Sequence, residues 1–207
     1  MEGYFDMDNT LLAGLFGLIG SIIGGLASFY GSKSAAKSSI EAQNKLIQER
    51  NVHEESEALK KISINARIIF FDLITALHEG LMVYKEVKRP GVGVAPMMLP
   101  MYGNYSNSIA IISDKLVSEE LILLNKLYGA IEKIRHDILN ANLVEDDFYK
   151  IRVDYLLLIS EVYGDRYGEM LGLDIGMITE HRLLMELRDN YKSLFTKLIK
   201  ISARENN

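Results

Sequence analysis

Cysteine is missing from this 207-residue chain, which excludes a disulfide framework, a thiolate metal site and a cysteine nucleophile. The absence is compatible with either side of a membrane. Histidine is scarce: His53, His78, His136 and His181 lie far apart and form no ligand spacing, so no metal or other cofactor is expected. Basic charge is also short, with 23 Lys and Arg against 28 Asp and Glu and a formal net charge of −5. That balance excludes nucleic acid as a main partner. No phosphate-binding loop or dinucleotide fingerprint occurs, and His78-Glu79 lacks the second histidine of a zinc-protease helix. The chain is read as a non-enzyme with room for one modest soluble domain beside a membrane segment.

What is present begins with a run free of charge. Thr10 to Tyr30, TLLAGLFGLIGSIIGGLASFY, contains no Asp, Glu, Lys or Arg, and a helix of that length covers the roughly 30 Å of bilayer hydrocarbon. A secretory signal would carry positive charge ahead of a shorter apolar core, whereas Glu2, Asp6 and Asp8 precede this one, so the segment is expected to be retained. Lys33 and Lys37 follow it. By the positive-inside rule they place the acidic tail, residues 1–9, outside and the rest of the chain in the cytoplasm of a single-pass cell-membrane protein.

Small residues recur within the run at a telling interval. Ala13, Gly17, Ser21 and Gly25 repeat every four residues, and Gly20, Gly24, Ser28 and Ser32 form a second row beside them. Such glycine-zipper rows fall on one broad helix face and let another helix backbone approach closely. Homo-oligomerisation in the bilayer is the expectation.

Residues 31–61 keep good helix formers without a continuous apolar stripe and read as a polar helical stalk; Ile40, Ile47, Ala58 and Ile62 make only a faint heptad. Residues 62–207 read as a cytosolic four- or five-helix bundle. Its first helix runs to about Val87 through Ile68, Ile69, Phe70, Phe71, Ile74, Leu77 and Leu81, and Arg89-Pro90-Gly91 ends it. Residues 89–105 hold all three prolines in an apolar Pro/Gly/Met-rich loop. A second helix spans Ser118 to Asn140 with Leu121, Leu124, Tyr128, Ile131 and Ile138 on one face and Ser118, Glu119 and Glu120 in its first turn. Asp146 or Asp147 caps a third, bearing Phe148, Ile151, Tyr155, Leu156, Ile159 and Val162. A last helix runs from about Met177 to Ile201 through Leu184, Leu187, Tyr191, Leu194 and Leu198. Ile109 to Ser113, short and β-branched, is the best candidate strand. Gly164, Gly168, Gly172 and Gly176 also recur every four residues, but the charges among them favour a flexible loop over a second packing face.

One stretch carries a resemblance. Phe5-Asp6-Met7-Asp8-Asn9-Thr10-Leu11 resembles the first motif of the haloacid dehalogenase superfamily, Ile109–Lys115 its strand ending in Ser or Thr, and Gly164–Met177 its metal-binding motif. The resemblance implies Asp6 as nucleophile, Asp8 as acid and base, Ser113 as phosphate ligand and Asp165 as magnesium ligand in a phosphatase. That fold needs a hydrophobic strand before its nucleophile and several alternating strand and helix units, which the patterns above do not supply. It therefore stands third. The leading expectation is an all-α membrane protein that assembles through its apolar helix while the cytosolic domain binds a ligand or protein. One version is a membrane-perturbing effector of a bacterial toxin or phage-defence system; the second expectation is a passive anchor or scaffold for a cytosolic partner.

Overall fold

The computed structural model describes residues 5–86, 103–141 and 145–203, with the backbone alone at 5–10, 86, 145 and 146. Every regular element among them is helical, and they contain no strand. In chain order the helices are α1 (Phe5–Glu86), α2 (Tyr105–Ile112), α3 (Ser118–Asn140), α4 (Glu145–Tyr163), α5 (Tyr167–Gly172), α6 (Glu180–Met185) and α7 (Asp189–Ser202). Most of the Pro/Gly/Met-rich segment expected as a loop at residues 89–105, namely 89–102, lies outside the described residues.

The chain divides into two compact units, Met1–Ser56 and Glu57–Asn207. Within the first, α1 is exposed at every residue from Leu11 onward. Beyond Gly31 its surface carries ion pairs one turn apart, Lys37–Glu41 and Lys45–Glu49 at 3.9 Å and Arg50–Glu54 at 2.7 Å. Each adds a few tenths of a kcal/mol to a helix with no apolar partner in its own unit.

The second unit has a true core. Its part of α1 buries Ala66, Ile69, Phe70, Leu73, Ile74, Leu77 and Leu81, the three- and four-residue spacing of one helix face. Phe71 points outward and is 52% exposed, because the next position along a helix lies about 100° away. Tyr128 of α3, Tyr155 and Tyr163 of α4, and Tyr191 and Phe195 of α7 are the largest fully buried side chains. Full burial of a side chain such as Phe195 contributes about 1.5–3 kcal/mol. α3 packs chiefly on α4. The far end of α7 is held by α1, where Ser63 Oγ donates to the Ser202 carbonyl at 2.8 Å and the Arg67 guanidinium reaches the same oxygen at 3.4 Å.

Three expectations are corrected. Ile109–Ser113 is not a strand: Ser108, Ile109 and Ile112 are buried at helical spacing in α2, whose backbone bonds close within the segment instead of requiring a partner strand. Ser118, Glu119 and Glu120 lie in the first turn of α3 as expected, and the Val117 N–H ahead of it donates to Glu120 Oε2 at 2.9 Å. Asp146 and Asp147 sit inside the first turn of α4, not ahead of it. The single helix from Met177 to Ile201 is broken. Thr179 caps α6 by accepting from the Arg182 N–H at 3.3 Å, Arg188 is extended before α7, and its N–H donates to the Val162 carbonyl at 3.0 Å.

That tie to α4 explains the glycine beside it. Gly164 ends α4 with φ of +58°, where a Cβ is disfavoured, and a Cβ there would meet Arg188 Nε at 2.2 Å. The following glycines lie in a chain of short helical turns, Gly164–Arg166, α5 and Ile175–Met177, in place of the flexible loop that was expected.

Candidate functional site

The first unit offers one surface of unusual chemistry. An 18-residue window in the apolar part of α1 has mean hydropathy 2.0 with none of it buried, so one helix, near the N-terminus, is long and apolar enough to cross a membrane. Every large apolar side chain from Leu11 to Tyr30 is exposed, from 45% at Ile19 to 68% at Phe16. A continuous patch of this kind is not sustained by water alone.

The helix sorts this surface by size. At about 100° per residue, Ala13, Gly17, Gly20, Ser21, Gly24, Gly25, Ser28 and Ser32 fall within an arc of roughly 140°. All the Leu, Ile, Phe and Tyr of the run occupy the remaining side. The helix brings the small residues of both rows onto one strip, and no described residue fills it. A Cβ built on Gly17, Gly20, Gly24 or Gly25 meets no atom within 4 Å. Each glycine costs the helix about 1 kcal/mol relative to alanine, with no contact among the described residues to offset it. Ser21 Oγ donates to the Leu18 carbonyl at 2.9 Å, so its hydroxyl is satisfied within the helix and tolerates apolar surroundings. Lys33 and Lys37 are exposed beyond the apolar run, and Lys37 forms a weak surface pair with Glu41.

The residues named by the phosphatase resemblance are scattered over helical elements. The backbone of Asp6 and Asp8 belongs to α1, and their side chains lie outside those described. Ser113 Oγ is spent on the Ala110 carbonyl at 2.8 Å, and Asp165 sits in the turn after α4. Among the described residues no group of three or more His, Cys, Asp or Glu could hold a metal ion. His53 and His78 belong to α1, His136 to α3 and His181 to α6.

The most polar buried feature escaped the sequence reading. Asp137 of α3 and Asp154 of α4 are buried, 9% and 5% exposed, and their lysine partners are crossed. Lys150 of α4 reaches Asp137 at 2.9 Å, and Lys133 of α3 pairs with Asp154. The hydrogen bond from Lys150 outweighs the cost of burial and, with a longer contact to His136, lowers the Asp137 carboxyl to about 2. The signal was legible as Lys133–Asp137 and Lys150–Asp154, both four residues apart, yet that spacing suggests pairs within a helix. Elsewhere the Tyr128 hydroxyl donates to Asp72 at 3.1 Å while its ring stacks on Tyr105 at 4.3 Å; burial and the neighbouring carboxylate push its pKa up. Tyr191 donates to Glu161 at 2.8 Å, and Lys126 holds the same carboxylate at 2.7 Å. These networks tie helices together. They place no nucleophile beside a base.

No protein-family model, curated protein or solved structure matches this chain.

Proposed function

We propose that this chain is a single-pass membrane protein that assembles with copies of itself through the small-residue face of α1. Thr10–Tyr30 crosses the bilayer, residues 31–61 form a polar stalk, the N-terminus lies outside, and the C-terminal domain in the cytoplasm binds a ligand or protein. The observation that carries this reading is the sorting of α1 into a bare glycine and serine strip and a bulky apolar side. Lipid tails solvate the bulky side. A second helix backbone at the strip supplies the van der Waals contact that no described residue gives it. A passive anchor needs the apolar side and has no use for the strip.

The test places leucine at Gly17, Ser21 and Gly25 in the full chain. In nanodiscs the natural sequence cross-links as a homo-oligomer, and the leucine variant already falls apart at a helix density roughly tenfold or more higher. An unchanged oligomer removes the proposed role of the strip. Dye leakage from vesicles carrying the same pair reads whether assembly perturbs the membrane, as an effector of a toxin or defence system does; equal silence of both leaves a scaffold.

A further inference from the structure

The second unit carries a cleft of about 640 Å³ between the first turn of α3 and the exposed side of α7, within the ~300–1,000 Å³ range of small-molecule sites. Four lysines line it: Lys115 from the turn before α3, and Lys192, Lys197 and Lys200 from α7. The α7 lysines recur at intervals of five and three, which keeps them along one side of that helix. Two carboxylates face them, Glu120 and Asp189. The cleft is thus positive on a chain whose net charge is −5, so its sign is a local arrangement and no by-product of composition.

Glu120 is already committed. Its Oε2 accepts from Lys197 at 2.6 Å and from the Val117 N–H at 2.9 Å, which neutralises Lys197 and caps α3. Lys192 donates only to a neutral carbonyl, that of Met185 at 3.3 Å, and Lys115 and Lys200 form no ion pair with any described residue. Three cations therefore share a concave space with one remaining carboxylate, Asp189, and leave it an excess of positive charge. A concave wall focuses their field on whatever enters. Ser193 and Thr196 add hydroxyls between the lysines, able to donate to an oxyanion.

We infer that this cleft binds a phosphate-bearing anion of nucleotide size, the lysines acting as point charges on the phosphates and the two hydroxyls completing the contacts. A nucleotide and a phosphorylated lipid headgroup share this chemistry. The cleft names the ligand class of the C-terminal domain and for its biological role rests on the proposed function. Assembly through α1 is scored without ligand, so either can fail alone.

Full-length protein in an uncharged detergent is titrated calorimetrically with ATP, with pyrophosphate, and with dioctanoyl phosphatidylinositol 4-phosphate. Binding is expected to weaken about tenfold or more in Lys192→Ala/Lys200→Ala and with rising salt, since screening acts on exposed charges over ~10 Å. It survives in the charge-keeping Lys192→Arg/Lys200→Arg, which also controls for folding. Glu120→Gln keeps a carbonyl oxygen for the α3 cap, removes the competing anion and frees Lys197; it tightens binding about three- to tenfold. ATP or pyrophosphate binding with this pattern assigns a soluble phosphate, and lipid binding alone with the same pattern assigns a headgroup. Binding of none of the three probes, or an affinity unmoved by the alanine pair and by Glu120→Gln, overturns the inference.

Discussion

Two glycines that look alike in sequence have opposite physical roles. Gly80, in the α1 stretch HEGLM, lies against the α4 tyrosine: a Cβ there would come within 2.8 Å of Tyr155 Cδ1, and that ring is fully buried with nowhere to retreat. Gly129, in the α3 stretch LYGAI, is exposed, and its Cβ would meet nothing within 4 Å. Gly80→Ala is expected to destabilise the second unit by about 1–3 kcal/mol through overpacking. Gly129→Ala is expected to stabilise it by about 0.5–1 kcal/mol, because the unfolded chain loses freedom and the helix loses nothing. Urea unfolding of the full chain in uncharged detergent, followed by circular dichroism, measures both midpoints. Equal midpoints for the two variants would show that α1 and α4 part at no cost. The sequence could not distinguish these sites, since close approach of two helices leaves no local mark.

At the scale of elements, α3 was legible to the residue, because Leu124, Tyr128, Ile131 and Ile138 keep the helical interval and acidic residues fill the first turn. The break between α6 and α7 was hidden because the apolar stripe from Leu184 through Leu187 to Tyr191 continues across it; what opens the chain there is the long-range bond from Arg188 to Val162. The crossed Lys–Asp layer between α3 and α4 carries a pH prediction. Asp137 ionises near 2 in the folded protein against an ordinary 3.8, so its contribution is complete above about pH 4. It is lost as pH falls toward 2, because the unfolded chain takes up a proton that the folded one refuses. The span amounts to roughly 2 kcal/mol. Asp137→Asn removes that share of the acid sensitivity, and Lys150→Met shrinks it by removing its main cause. The difference in urea midpoint between wild type and each variant, followed from pH 6 to pH 2.5, isolates this carboxylate from others titrating nearby. A difference that does not change with pH sinks the assignment.

For the molecule as a whole, the apolar run and its small-residue interval were legible because membrane length and helix period are local properties. The lysine cleft was not, since Lys115 and Glu120 stand far along the chain from Lys192 and Lys200 and only the packing of α7 beside α3 unites them. The proposed orientation rests on few charges: Glu2, Asp6 and Asp8 on one side of the apolar run and Lys33 and Lys37 on the other. The absence of cysteine makes it measurable without background. With Gly3→Cys, an impermeant maleimide is expected to label intact host cells. With Asn125→Cys, on the exposed side of α3, labelling requires lysis. Replacing Lys33 and Lys37 by glutamate removes the retaining charge, so a measurable fraction of Asn125→Cys then reacts in intact cells. Labelling of Asn125→Cys but not Gly3→Cys in the otherwise natural sequence would reverse the topology and place the lysine cleft on the outer side, away from cytoplasmic nucleotides.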